Sequence, residues 1–201
     1  MLTTLRLDGI TLLGHSMGVA VIWAYLDVFG AERIDRLVLA DFRPTLVRDR
    51  DWSDEEARIA GGTQTLAQLD DLTHRLRSSD GWNALAEVLA HMTSSVLPRE
   101  RFEALLATNA PTRNETRAAL WYDQCTVDWR DLIPTISVPT LVVHGLGSMI
   151  PLECQQWVAD VIADGTFATI SADAGGSHFA FWENPERFSE IVAEFLALDL
   201  P

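Results

Sequence analysis

The fold of this chain is decided by residues 10–18, ITLLGHSMG, in which an apolar run precedes a Gly-x-Ser-x-Gly motif. The run Ile10–Leu13 predicts a short strand, and the apolar stretch Met17–Phe29 predicts a helix that ends at Gly30, a good C-terminal cap. Strand, sharp turn and helix in this order predict a nucleophile elbow, a strained turn that projects the hydroxyl of Ser16 above the sheet. The residues two before and two after the serine must then be small, because strand and helix approach closely. The alternative, a chance motif in a glycine-tolerant loop, is disfavoured by this context.

Three further apolar runs predict strands at Leu37–Ala40, Thr140–His144 and Ala168–Ser171. None of the four runs alternates polar with apolar residues, so each predicts a strand buried on both faces of a parallel sheet. Helices are predicted at Leu152–Ala163 and, at the end of the chain, after the N-cap Asn184. The buried stripe of the last helix consists of Phe188, Ile191, Val192, Phe195 and Leu196. We therefore predict an α/β fold, a parallel sheet of about four strands flanked by helices.

Residues 42–133 differ from the rest of the chain, because they contain no convincing strand. They predict four short helices separated by breaks, the first of which begins near Ser53. We therefore expect a helical cap, residues 42–133, inserted into an α/β core that consists of residues 1–41 and 134–201.

Composition limits the classes of function. Fifteen basic and twenty-nine acidic residues give a net charge of −14, which disfavours nucleic-acid and membrane-surface partners because it repels phosphate groups. Cys125 and Cys154 have no metal-binding spacing, so neither a metal nor another cofactor is predicted. The start of the chain lacks the pattern of a signal peptide, and no apolar stretch approaches the length of a membrane span. We therefore expect a soluble, cytoplasmic protein.

A second candidate residue follows the last predicted strand, in Gly175-Gly176-Ser177-His178-Phe179. A loop histidine beyond the C-terminal end of one strand can reach a serine at the end of another. His178 is therefore the candidate general base, which removes the hydroxyl proton of Ser16 and later protonates the leaving group. The alternative interpretation is an ordinary surface histidine.

Three motifs together resemble the α/β-hydrolase superfamily: TLLGHSMG at residues 11–18, VPTLVVHG at 138–145 and HFAFWENPERF at 178–188. Within it, the chain is most similar to small esterases and to cofactor-free haloperoxidase-like perhydrolases. The resemblance covers the whole chain except its middle. It implies a serine hydrolase of carboxylic esters or related small acyl substrates, in which Ser16 is the nucleophile and the backbone N–H of Met17 stabilises the oxyanion. Hydrolysis and perhydrolysis would use the same residues.

The triad acid departs from the pattern of these families. Their acid usually follows the His-Gly motif, where this chain has Ser148, and a serine cannot hold an imidazolium by charge. Some relatives place the acid at the end of the strand next to the elbow strand, and Asp41 ends that strand here. Asp41 is therefore the predicted orienting carboxylate, with capping of the following loop as its alternative role. Asp173 and Glu153 remain as other candidates.

The beginning of the chain is a second departure. The earlier strands of the superfamily, and the loop that donates the second oxyanion N–H, have no counterpart before the elbow. A truncated gene or a mis-called start codon at Met1 is the favoured explanation. The elbow strand would then lie at a sheet edge, which predicts self-association through that edge. The rival hypothesis is an inactive fragment or a non-catalytic protein that binds a partner there.

The remaining candidates concern the substrate pocket. His15, Trp121 and Phe179 are the predicted substrate-binding residues, with packing between cap and core as the alternative role for the aromatic ones. His144 is expected to end its strand without a catalytic role.

Overall fold

Four strands pair in parallel, in the order β1-β2-β3-β4, within residues 2–198, the part of the chain that the computed structural model describes. The strands are β1 (Ile10–His15), β2 (Ile34–Ala40), β3 (Thr140–Gly145) and β4 (Gly165–Ile170). The helices are α1 (Leu2–Leu5), α2 (Met17–Phe29), α3 (Asp54–Ala60), α4 (Leu66–Arg77), α5 (Gly81–Met92), α6 (Arg99–Ala107), α7 (Asn114–Thr126), α8 (Leu152–Val161), α9 (Ala180–Glu183) and α10 (Pro185–Leu196). The predicted parallel α/β sheet is confirmed.

The inner and outer strands differ in burial. Every residue of β3, and all but one of β2, is buried, as continuous apolar runs predict. In β1, residues alternate between partly buried and exposed, and the side chain of Leu13 is 51% exposed. In β4 only the last residue is buried. The prediction that all four strands are buried on both faces is therefore wrong for β1 and β4, the two ends of the sheet, where the surrounding structure covers the strands less completely. The predicted self-association through the β1 edge stays a prediction.

Helices cover both faces of the sheet. On one face, α2 packs against β1 and α8 against β3 and β4, with Trp23 fully buried among the apolar side chains of this layer. On the other face, α10 packs through Phe188, Ile191 and Phe195, as its periodicity predicts, whereas Leu196 is exposed. The side chain of Asn184 accepts a hydrogen bond from the backbone of the first turn, the predicted N-cap.

The middle of the chain, residues 42–133, contains five α-helices rather than the four predicted. Helices α3 and α4 each begin with a capping box, formed by Ser53 with Glu56 and by Thr65 with Gln68. Helix α7 was not predicted. Thr112 and Glu115 have the spacing of a start signal, but the N-cap is Arg113, which makes no side-chain cap hydrogen bond.

The structure has no helix, between residues 2 and 198, with both the length and the apolar character that a membrane span requires.

Candidate active site

The turn between β1 and α2 holds Ser16 in the left-handed region, with φ at 51°. A side chain on Gly14 would place its Cβ 2.7 Å from the backbone of Gly18 and 2.8 Å from Ile22, so strand and helix require glycine here. A Cβ on Gly18 meets nothing within 4 Å among the described residues. The expectation that both glycines are required by a close approach of strand and helix therefore holds for Gly14. It is wrong for Gly18, where a Cβ would have room.

The same turn places a backbone donor beside the serine. Met17 is the first residue of α2, and the first N–H groups of a helix have no partner within the helix. The turn is anchored by a hydrogen bond of 3.0 Å from Ser16 N to Ala40 O, at the end of β2. Met17 therefore follows Ser16 at the C-terminal edge of the sheet, at the start of α2.

The loop that carries His178 lies tightly against the ends of β3 and β4. A Cβ on Gly145 would lie 2.2 Å from Ser177 O, and one on Gly176 would lie 1.9 Å from Ile170 O. These contacts leave no room for any side chain at either glycine. The position of the His178 loop is therefore set by the close approach of backbone segments.

His15 holds the same loop from the other side. Its Nε2–H donates to the backbone oxygen of His178 at 2.7 Å. Burial lowers the pKa of His15 to about 3, and the neighbouring His178 lowers it as well. Since His15 stays neutral at ordinary pH, it contributes one fixed donor that positions the loop.

Asp41 is the centre of a buried polar cluster. Its side chain accepts hydrogen bonds on one oxygen from His144 Nδ1 at 2.6 Å, and on the other from His178 Nδ1 at 2.7 Å and Ser148 Oγ at 2.5 Å. The residue is 3% exposed and its φ is 51°, again left-handed. The register of β2 on β3, which pairs Ala40 with Val143, brings Asp41 and His144 to the same sheet edge.

Burial alone would raise the pKa of the Asp41 carboxyl group. The hydrogen bonds from His144 and His178 outweigh this effect, so the pKa lies well below its ordinary value and the group is an anion. The other two candidate acids lie elsewhere: Asp173 is exposed, and Glu153 pairs with Arg58 at 3.1 Å. Of the three predicted carboxylates, the structure brings only Asp41 to His178.

Two members of this cluster were not predicted as site residues. His144 was expected only to end its strand, and it instead donates to the carboxylate that also holds His178. Ser148, which stands where a family acid was expected, sends its hydroxyl to Asp41. Its position after the His-Gly motif was the available signal, since a serine there can reach an acid supplied by the neighbouring strand.

A cavity of about 390 Å³ opens above Ser16 and His178. The predicted substrate-binding residues His15, Trp121 and Phe179 all line it. Most of the wall is apolar and comes from α4 to α7, with Leu85, Leu89, Met92, Leu105 and Leu120 among the lining residues. Ser16 Oγ and His178 Nε2 make no hydrogen bond with each other, and His178 Nε2 has no partner among the described residues.

Among residues 2–198, no group of three or more His, Cys, Asp or Glu side chains is arranged to hold a metal ion.

A parallel sheet with a sharp strand–turn–helix connection that carries Ser16 at the end of β1 is typical of the α/β-hydrolase fold. The model of the alpha/beta hydrolase family matches residues 2–191, and the chain belongs to this family.

Relatives and solved structures agree with this assignment. A protein of Synechocystis sp. that is provisionally named a non-heme chloroperoxidase is 26% identical over 203 residues, covering 98% of this chain and 70% of that protein. The crystal structure of a bromoperoxidase from Bacillus anthracis matches with a TM-score of 0.84 at 21% identity, covering 97% of this chain and 70% of that one. An esterase from Exiguobacterium antarcticum matches with a TM-score of 0.85, also at 21% identity, covering 98% and 70%. The chain thus spans 70% of the length of these three proteins.

Proposed function

We propose that this protein is a serine hydrolase of carboxylic esters or related small acyl substrates. One observation carries the proposal: the imidazole of His178 is held at Nδ1 by Asp41, while its Nε2 is unpartnered in the cavity that Ser16 also lines. A carboxylate at Nδ1 fixes the tautomer in which Nε2 accepts a proton. The hydrogen bond between a catalytic serine and histidine often forms only when substrate is bound. The lack of a hydrogen bond between Ser16 Oγ and His178 Nε2 is therefore compatible with the proposal.

In the acylation half-reaction, Ser16 Oγ attacks the substrate carbonyl carbon while His178 Nε2 takes the hydroxyl proton. The negative charge on the carbonyl oxygen is stabilised by the N–H of Met17 and by the positive end of α2. His178 then gives its proton to the leaving alcohol, and the acyl group remains on Ser16. The anionic Asp41 stabilises the imidazolium between these two proton transfers.

In the deacylation half-reaction, His178 Nε2 takes a proton from water, and the resulting hydroxide attacks the acyl carbon. Ser16 leaves with that proton, and the carboxylic acid is released. Perhydrolysis is a second candidate, favoured by the chloroperoxidase name of the 26% identical relative. There hydrogen peroxide replaces water, so the product is a peroxycarboxylic acid.

Labelling with a fluorophosphonate probe tests the proposal. The probe phosphonylates an activated serine, so we expect labelling of the wild type and none of Ser16→Ala. The matched control is Ser95→Ala, because Ser95 is exposed and lies outside the cavity. Labelling should survive this change.

A folded wild-type protein that takes no label would overturn the proposal, as would equal labelling of the Ser16→Ala variant. Circular dichroism of all three proteins establishes that they are folded. Acyl transfer to water and to hydrogen peroxide is then compared on one aryl ester, by the amounts of acid and peroxy acid formed.

A further inference from the structure

Helix α7 presents a polar stripe to the cavity above Ser16. Arg117, Trp121 and Gln124 line that cavity, together with the apolar Leu120. Their spacing of i, i+3, i+4 and i+7 places all four on one side of the helix. Away from the Ser16 turn and His178, the cavity wall is otherwise apolar except for Thr108, Asn109 and Thr112, which precede the helix, and the stripe carries its only charged side chain among the described residues.

Each polar residue of the stripe has a buried atom without a hydrogen-bond partner in residues 2–198. These atoms are Nε of Arg117, Nε1 of Trp121 and Oε1 of Gln124. Arg117 and Gln124 are each 9% exposed. A buried polar atom without a partner costs free energy, and native proteins keep few of them. The three residues also line the cavity that His178 lines, so this side of the helix is suited to bind polar atoms of a substrate once its side chains adjust to the ligand.

The positive charge of Arg117 has no carboxylate partner among the described residues. Its guanidinium donates to Asn114 Oδ1 at 2.7 Å, to Asn109 O at 3.0 Å and to Thr112 O at 2.8 Å, all of which are neutral acceptors. These bonds fix the orientation of the side chain and leave its Nε–H unused. A held guanidinium with a spare donor is suited to a negatively charged oxygen.

The stripe has a near and a far end relative to the nucleophile. Trp121 and Gln124 also line a small recess that contains Ser16 and His178, whereas Arg117 lines only the main cavity. Gln124 lies seven positions after Arg117, which places the end of the stripe near Ser16 about 10 Å along the helix axis from the end at Arg117. Apolar side chains, among them Leu89 and Leu105, line the cavity as well.

We propose that the cavity selects acyl groups that end in a carboxylate, with the ester carbon at Ser16 and the carboxylate at Arg117. This inference rests on the proposed hydrolase function and names its substrate class: monoesters of dicarboxylic acids whose chain spans roughly that 10 Å distance. The apolar wall takes the methylene chain, and the N–H groups of Trp121 Nε1 and Gln124 Nε2 donate to the ester oxygens.

The test compares two esters of equal chain length, the mono-4-nitrophenyl ester of octanedioic acid and 4-nitrophenyl octanoate. We expect the wild type to prefer the carboxylate ester by about tenfold or more in kcat/KM, because a charge-assisted hydrogen bond replaces an apolar end. In Arg117→Gln the ratio should fall to about one or below. A ratio between two substrates is unaffected by the fraction of the preparation that is active.

Arg113→Gln is the matched control, since Arg113 carries the same charge on the same helix but is 82% exposed and lies beside Glu115. This variant should keep the wild-type ratio. A wild-type ratio of one or below would overturn the inference, and so would an equal loss of preference in Arg113→Gln. Arg117 also binds the loop before α7, so Arg117→Lys, which keeps the charge, is measured beside it and should give an intermediate ratio.

Failure of the proposed function has a different signature. Then neither ester is cleaved and no probe labels Ser16, while binding can still be measured by the shift in melting temperature with octanedioate against octanoate. A larger shift with octanedioate that depends on Arg117 supports the inference, and equal shifts overturn it.

Discussion

His144 Nδ1 lies 2.6 Å from Asp41 Oδ1, so two imidazoles share one carboxylate. Each hydrogen bond draws charge from the carboxylate, and the bond from His144 therefore weakens the hold of Asp41 on the imidazolium form of His178. His144 is in this sense a positioning residue for Asp41. It does not line the cavity above Ser16.

Replacement of His144 by leucine should lower kcat on an aryl ester, because Asp41 loses one of the hydrogen bonds that fix its orientation towards His178. The loss of a buried hydrogen bond to a charged group should also lower the free energy of unfolding by roughly 2 kcal/mol. His144→Asn keeps a donor near the position of Nδ1 and should restore kcat. An unchanged kcat in a folded His144→Leu protein would assign His144 a structural role only.

The proximity of Ser148 to Asp41 allows a test of whether position 148 can supply the triad acid in place of position 41. Asp41→Asn should lower kcat by about 10⁴, because the tautomer and the charge stabilisation are both lost. Since the Ser148 hydroxyl is within 2.5 Å of Asp41, a carboxylate at position 148 can approach the same imidazole. We expect Ser148→Asp to recover part of the activity of Asp41→Asn, measured on one aryl ester. A double variant with a kcat no higher than that of Asp41→Asn would contradict this prediction. The control is Ser148→Ala combined with Asp41→Asn, which removes the hydroxyl without adding a carboxylate and should recover no activity.

Gly14 and Gly18 should differ in their response to alanine. Gly14→Ala places a Cβ 2.7 Å from the Gly18 backbone, which we expect to destabilise the protein by about 3 kcal/mol or more. Gly18→Ala meets open space among the described residues and should stabilise α2 by about 0.5 kcal/mol. Urea unfolding measures both. Equal effects would show that the contact at Gly14 does not limit the turn.

The buried thiols predict a loss of stability at high pH. Burial raises the pKa of Cys125 and of Cys154 to about 12, although the nearby Arg43 acts to lower both values. The unfolded chain loses these protons near pH 8.5, so between that pH and 12 stability falls by about 1.4 kcal/mol per thiol per pH unit. The Cys125→Ala, Cys154→Ala double variant should show a shallower decline from pH 8.5 to 10. Parallel declines would contradict the prediction.

Several ends of helices could be predicted from the sequence. Gly30 marks the end of α2, and Asn184 with Pro185 marks the beginning of α10, because both signals lie within a few residues. Helix α7 was not predicted, because its cavity side carries Arg117 and Gln124 where an apolar stripe would have identified it. For β1, the apolar run predicted burial on both faces, whereas the resemblance placed the elbow strand at a sheet edge, which is where β1 lies.

Some residues of the candidate site could be predicted from local motifs, and others could not. The motifs located Ser16 and His178, and a resemblance suggested Asp41, because each follows a strand in the chain. The contact between Asp41 and His144 depends on how β2 and β3 are aligned, 103 residues apart in sequence. No local pattern encodes that alignment.

The glycines at 145 and 176 have a consequence for directed evolution. Because their backbone contacts exclude every side chain, the segment bearing His178 tolerates little variation. The cavity wall is contributed by a separate part of the chain, α4 to α7, which packs through exchangeable side chains. Mutant libraries restricted to α7 should therefore diversify substrate range while leaving the reaction machinery intact, and reactivity and selectivity can be optimised in successive rounds.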